Sequence, residues 1–306
     1  MRLRIRLSLH CIALLHLLVA FPSPAAATEA HPDLAHDTLL AHDTLLAHDT
    51  LLAHDTLLAA DDFAELPTMA SSLRRSAPLV FPAPGRHTAT VIFAHGLGDT
   101  GHGWASAVES WRRRQRLDGV KFILPNAPMI PITANGGMAM PGWFDLSVID
   151  GSVESLRQNE DDAGVRVSTG YFHGLIQAEV DAGIPSDRIV LGGFSQGGAM
   201  ALFAGLTAPV KLGGIVGLSC WLLLSNKFGD EVKDEAKALN RDTKVWMGHG
   251  GADPLARPEL GQMSADMLKK LGFDVTLKIY PGMPHSACPE ELDDVEAFLR
   301  ARLPAQ

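Results

Sequence analysis

Residues 188–204 read Arg188-Ile189-Val190-Leu191-Gly192-Gly193-Phe194-Ser195-Gln196-Gly197-Gly198-Ala199-Met200-Ala201-Leu202-Phe203-Ala204. An apolar run leads into a glycine-flanked serine, and an alanine-rich run follows. This is strand, sharp turn, helix, in the Gly-x-Ser-x-Gly pattern of a nucleophile elbow. The turn must lift one hydroxyl clear of a sheet. Gly193 and Gly197 occupy the positions where a side chain would meet the crowded strand and helix. Ser195 then stands at a helix N-terminus, whose amides favour developing negative charge.

The flanking chain agrees with such a setting. Strand-like runs at 88–94, 120–124, 188–192, 213–218, 243–249 and 274–280 alternate with helical stretches at 104–114, 159–182, 258–271 and 290–302. Continuous apolar strands separated by helices predict a mainly parallel sheet covered on both faces, an α/β fold. A ligand site is then expected at the strand C-terminal ends.

A serine nucleophile needs a base, and the base needs an orienting acid. Downstream of Ser195 the only histidines are His249 and His285. His249 ends a strand, which suits a structural role. His285 falls between the last strand and the last helix, where an α/β-hydrolase places its base. Asp253, in the loop after the penultimate strand, is the candidate acid. Its rivals are Asp242, Asp293 and Asp294. Acyl transfer also needs backbone donors for an oxyanion. These are expected from Gln196, next to the nucleophile, and from Leu97 in the glycine-rich loop 95–98.

Composition bounds the rest. The chain has 306 residues, 46% of them hydrophobic and 20% charged, with a net charge of −9. Nine acids and three arginines lie in residues 1–68, which leaves 26 acids against 23 bases, or −3, in the remainder. That balance gives no sign of nucleic-acid binding. Outside the leader, Cys220 and Cys288 are too few for a disulfide framework, so a reducing compartment is the default.

Residues 1–27 resemble a secretory leader: Arg2, Arg4 and Arg6, an apolar stretch at 11–21, then Ala25-Ala26-Ala27. Residues 28–68 form a low-complexity segment with four copies of Ala-His-Asp-Thr-Leu-Leu at 35–58. Six residues advance a helix by roughly 240°, so neither the leucines nor His36, His42, His48 and His54 gather on one face. No metal site is expected there or elsewhere. A catalytic domain is expected over 69–306. Met69 is a candidate physiological start, with the leader and repeats a gene-model extension.

The motifs carry a family resemblance. His95-Gly96-Leu97-Gly98-Asp99-Thr100-Gly101-His102-Gly103-Trp104 resembles the opening motif of the acyl-protein thioesterases, also described as type I lysophospholipases and small carboxylesterases. So do Met140-Pro141-Gly142-Trp143-Phe144-Asp145, the elbow, Leu218-Ser219-Cys220-Trp221-Leu222, Asp253-Pro254-Leu255 and Gly282-Met283-Pro284-His285-Ser286. The likeness covers residues 76–302. It implies an α/β-hydrolase without a large cap, a Ser195–Asp253–His285 triad, and no cofactor. It implies hydrolysis of palmitoyl thioesters on protein cysteines, G-alpha subunits among them, with lysophospholipids and short esters as side substrates. Membrane contact would be peripheral and transient. The location would be cytoplasmic and nuclear, with secretion the alternative if the leader is used. Oligomeric state is left open.

Three positions depart from the family pattern. Gly251 stands where an acid is usual, Leu223 where proline is usual, and Ala256-Arg257 where Val-Pro is common. For the acyl chain, two stretches are too apolar for idle exposure: 128–132 with 138–141, and 221–224. Met140, Trp143, Trp221, Leu222 and Leu223 are the candidate channel residues.

Overall fold

The computed structural model describes residues 73–234 and 238–306. The expectations for the leader, the repeats and Met69 lie outside these residues.

The strands form where apolar side chains run without interruption. β1 (Leu79–Phe81), β2 (Ala89–Ala94), β3 (Val120–Leu124), β6 (Ile189–Phe194), β7 (Gly214–Leu218), β8 (Val245–Gly250) and β9 (Val275–Tyr280) make one sheet in the order β1-β3-β2-β6-β7-β8-β9. Only β1, at the edge, runs antiparallel to its neighbour. Every residue of β2, β7 and β8 is buried, as central parallel strands require. The sequence had suggested a helix from 104. The structure opens there with a tight turn of 3-10 helix at Gly101–Trp104, and the α-helix α1 follows over Ala105–Arg113.

Between β3 and β6 the chain makes a two-stranded hairpin, β4 (Met129–Pro131) with β5 (Ala139–Pro141), then the short α2 (Val153–Arg157) and the long α3 (Asp162–Asp181). The apolar stretches 128–132 and 138–141 are thus ordered by cross-strand pairing. α3 starts three residues later than expected because Asp161 takes the cap, its carboxylate accepting from Gly164 N at 2.9 Å. No large cap domain interrupts the described chain.

α4 (Gln196–Leu206) is buried along its whole length, so its apolar composition all round is what its place demands. α3 and α4 pack on one face of the sheet with α6 (Pro258–Lys270), which follows the short α5 (Ser225–Glu231). α1 and α7 (Pro289–Arg302) cover the other face. There Trp111 stacks on Phe122 at 5.9 Å, and its indole N–H donates to the Leu292 carbonyl at 3.0 Å. That bond ties α1 to α7 on this face of the sheet. The register pairs Ala94 with Gly193, Phe194 with Leu218, and Leu218 with Gly248. Four strands therefore end level, and their loops meet on one edge.

Candidate active site

Ser195 sits between β6 and α4 with φ +54° and ψ −124°, a conformation that non-glycine residues rarely hold. The turn is fixed at both ends. Its amide donates to the Leu218 carbonyl at 2.8 Å, and its carbonyl accepts from Ala199 N at 2.9 Å. The glycines are there for space. A Cβ on Gly193 would lie 2.4 Å from the Gly197 backbone, and one on Gly197 would lie 2.4 Å from the carbonyl oxygens of Ala94 and His95. Neither neighbour can yield, since both are buried backbone. Gly197→Ala is therefore expected to lower the melting temperature by roughly 10 °C or more, or to prevent folding. Thermal unfolding followed by circular dichroism checks this; a shift within 2–3 °C (about 1 kcal/mol) would mean the elbow has slack.

The sequence-predicted partners meet at Ser195. The Ser195 hydroxyl donates to His285 Nε2 at 2.9 Å, and His285 Nδ1–H donates to Asp253 Oδ2 at 2.7 Å. Asp253 Oδ1 accepts from the amides of Leu255 and Ala256, both at 2.9 Å. Burial acts to raise the Asp253 pKa. The hydrogen bond and charge of His285, with the two amides, outweigh it and hold the carboxyl below the usual carboxylate range. The His285 ring packs on Phe194, centroids 4.7 Å apart. The rival acids are engaged elsewhere: Asp242 with Lys211, Asp293 with Arg114, and Asp294 with Lys278 and the Tyr280 hydroxyl.

The loops bearing Asp253 and His285 are interlocked. Gly251 N donates to the Tyr280 carbonyl at 2.8 Å and Ala252 N to the Met283 carbonyl at 3.0 Å. A Cβ on Gly250 would lie 2.3 Å from that same Met283 oxygen. His249 is buried beneath, its Nε2–H donating to the Ala256 carbonyl at 2.7 Å, and burial lowers its pKa. It ties the end of β8 to the loop that carries Asp253.

The loop after β2 lies against Ser195. A Cβ on Gly96 would be 3.2 Å from the Ser195 Cβ. Residues 96–99 form a tight turn, Asp99 N donating to the Gly96 carbonyl at 3.3 Å, with Gly98 at φ +79°. Leu97 stands at its crest. Buried His95 organises this loop: its Nδ1–H donates to the Gly96 carbonyl at 2.7 Å, and its Nε2 accepts from Ala127 N at 3.1 Å. Acceptance at Nε2 needs the neutral ring, and burial lowers its pKa accordingly.

Two side-chain roles escaped the sequence. Gln196, expected to matter through its amide, also accepts from Trp143 N at 2.8 Å and donates to the Phe144 carbonyl at 2.6 Å. Trp143, a candidate channel residue, donates its indole N–H to the His95 carbonyl at 2.8 Å. Together they bolt the elbow and the 95–98 loop to the 141–144 segment. The Met-Pro-Gly-Trp-Phe-Asp motif carried that signal, but nothing in it says which way Trp143 points.

The phospholipase/carboxylesterase family profile matches residues 76–303. The chain belongs to this family. It is 64% identical over 234 residues to acyl-protein thioesterase 1 of Neurospora crassa, an alignment that covers 76% of this chain and 95% of that protein. It is 65% identical over 230 residues to acyl-protein thioesterase 1 of Gibberella zeae, covering 75% and 97%. Among solved structures it resembles Zea mays acyl-protein thioesterase 2, with a TM-score of 0.66 at 32% identity, covering 74% of this chain and 98% of that one. It also resembles Arabidopsis thaliana SOBER1, with a TM-score of 0.64 at 30% identity over 72% and 100%. As a family member the chain is a serine hydrolase of the α/β-hydrolase fold.

The remaining channel candidates are buried. Met140 is 6% exposed and lies beside Gly98 at the edge of the Leu97 turn. Trp221 and Leu222 border a small pocket with Leu260, Met263 and Met267. Leu223 is fully buried in the core. The departures from the family pattern sit close by. Ala256 supplies both the amide to Asp253 and the carbonyl to His249, tasks of backbone rather than side chain.

Proposed function

We propose that this protein removes long-chain acyl groups from protein cysteines, with Ser195 as nucleophile, His285 as general base and acid, and Asp253 as its orienting partner. Ser195 Oγ attacks the thioester carbonyl while His285 Nε2 takes the hydroxyl proton. The oxyanion meets the amides of Leu97 and Gln196. Collapse breaks the C–S bond, His285 returns its proton to the cysteine sulfur, and the acyl group stays on Ser195. Water attacks that ester by the same proton path and releases the fatty acid. The observation that carries the reading is the Asp253–His285–Ser195 hydrogen-bond chain, in a sequence close to fungal proteins named acyl-protein thioesterase 1.

The acyl chain needs apolar cover, each buried methylene being worth about 0.8 kcal/mol. The β4–β5 hairpin offers it at the rim. Met129 and Met138 are 60% and 64% exposed, and Met140 reaches the Leu97 turn. Methionine adapts to flexible ligands. We place the chain along this hairpin and Met140, with Trp143, Trp221, Leu222 and Leu223 as the packed wall behind it. G-alpha subunits are the proposed protein substrates, reached in the cytoplasm and nucleus through transient membrane contact. Among the described residues no helix is long and apolar enough to cross a membrane.

The family's phospholipase/carboxylesterase description favours a second reading, hydrolysis of lysophospholipids. The full-length chain, with Ser195→Ala as control, separates them by kcat/KM on a palmitoylated-cysteine peptide and on a palmitoyl lysophospholipid. A serine-dependent preference for the thioester of about tenfold or more, 1.4 kcal/mol in transition-state binding, is expected. Preference for the lipid would support the second reading. In the same assay Met140→Asp is expected to raise KM for palmitoyl substrates by about tenfold and spare butyrate esters. Equal losses on both would mean damage to the Leu97 turn.

A further inference from the structure

Glu291, the third residue of α7, is fully buried on the α1/α7 face of the sheet. Neither carboxyl oxygen has a hydrogen-bond partner among the described residues. The side chain does not cap its own helix. That task falls to Cys288, whose sulfur accepts from Glu291 N at 3.4 Å. Instead the carboxyl is aimed at β8, where a Cβ on Gly248 would lie 2.4 Å from Oε1. The strand is bare of a side chain at the point where this acid arrives. β8 runs from there into the 250–253 turn that carries Asp253, and α7 begins four residues after His285.

A buried polar group without partners is costly, and a leucine or methionine would fill the same space without that cost. Its presence beside the 250–253 turn and the 285–288 segment needs a reason. The titratable groups around it supply one. Asp253 faces it from the loop after β8, and Asp294 from the next turn of α7. Asp294 is itself paired with Lys278 and the Tyr280 hydroxyl of β9. Cys220 lies on the β7 side, its thiol pushed up by burial and by Glu291, and Cys288 caps the helix. Burial first, then the charges of Asp294 and Asp253, push Glu291 up to about 8. At neutral pH the side chain is a neutral acid.

We propose that Glu291 is a positioning residue that must keep its proton for the triad to work. While it is neutral, it does not repel the Asp253 carboxylate that faces it. As a carboxylate it repels Asp253 and pushes it off the Nδ1–H of His285, the bond that orients the ring toward Ser195. An unpaired buried carboxylate also draws the first turn of α7 toward water, and with it the 285–288 segment. This rests on the hydrolytic reading above.

The test is the pH profile of kcat/KM, from pH 6 to 9.5, for full-length chain on p-nitrophenyl butyrate. Wild type is expected to lose activity above a pH of about 8, by roughly fivefold or more at pH 9.5. Glu291→Gln should stay within about threefold of wild type at pH 7 and lose the alkaline limb. Stability gives an independent readout. The folded protein keeps a proton that the unfolded chain releases near 4.3, so wild type should lose stability relative to Glu291→Gln as pH rises from about 4.5 to about 8, and no further above that. Glu291→Met, equally neutral, repeats the test should the amide pack poorly. An unchanged alkaline limb in either folded variant overturns the proposal, as does its absence from wild type. Unfolding of both variants at pH 7 would reduce Glu291 to a structural role and overturn it too. Failure of the hydrolytic reading looks different: Ser195→Ala would then retain the esterase activity.

Discussion

Replacing Ser195 by alanine is expected to lower kcat/KM for acyl esters and thioesters by about 10⁴- to 10⁶-fold, with little change in melting temperature. The two expectations separate because of how Ser195 is held. Its backbone sits at φ +54° by virtue of the Leu218 and Ala199 bonds and the bare glycines around it, none of which uses the hydroxyl. Alanine meets the same backbone strain, so stability should shift by less than about 1 kcal/mol. The hydroxyl's hydrogen bond is to His285, and it points toward the edge where acyl groups would arrive. Wild type should take up one equivalent of a fluorophosphonate probe, and the variant none. Undiminished labelling of the variant would move the nucleophile elsewhere. Probe-inert wild type would leave a fold that binds acylated partners without cleaving them.

Asp253→Asn should cost about 10⁴-fold in kcat, more than the loss of one charge suggests. The amides of Leu255 and Ala256 both donate to Oδ1. They would keep the asparagine oxygen on their side and turn its NH₂ toward His285 Nδ1. The ring would then have to accept at Nδ1 and carry its proton on Nε2, the atom that must take the Ser195 proton. The chemistry fails by tautomer, with the geometry intact. Acid stability should change with it. The Asp253 pKa is depressed, so its contribution is present above the unfolded value of about 3.9 and lost as pH falls through the folded one. The variant should lack that part of the acid transition. Activity above roughly a hundredth of wild type would show that His285 is oriented by something else, with His249 the group to examine first.

Much of this was legible in the sequence, for identifiable reasons. The central strands are buried on both faces, so they appear as unbroken apolar runs that no surface segment imitates. The hydrogen-bonded meeting of Ser195, His285 and Asp253 was legible through order and position: serine between strand and helix, then aspartate and histidine each in the loop after a strand. The three-residue strands β4 and β5 are too short for any periodicity, and their pairing depends on partners eight to twelve residues apart. α5 follows Leu224, which adopts φ +49° with its amide donating to Glu160 at 2.9 Å, a start that no capping residue advertises. Apolar character cannot separate channel from core either. Leu222 borders a pocket while Leu223 beside it is sealed in. Gln196 and Glu291 show the same limit for polar residues. Each looks suited to solvent by composition, and each is fully buried by the packing of a helix that the surrounding residues specify.

The stitching of Gly251 and Ala252 to Tyr280 and Met283 makes the acid's loop and the base's loop a single mechanical part. An insertion in either would drag the other out of line, so this side of the site is closed to evolutionary tinkering except by paired change. The opposite side is built otherwise. The hairpin carrying Met129, Met138 and Met140 meets the 96–99 turn through the bond from Gly98 N to the Pro141 carbonyl at 2.8 Å, and it lies apart from the proton path. Lengthening or recolouring that hairpin would retune which acyl chains are accepted while the hydrolytic engine keeps its timing. Divergence in substrate choice among chains of this design should accumulate there first.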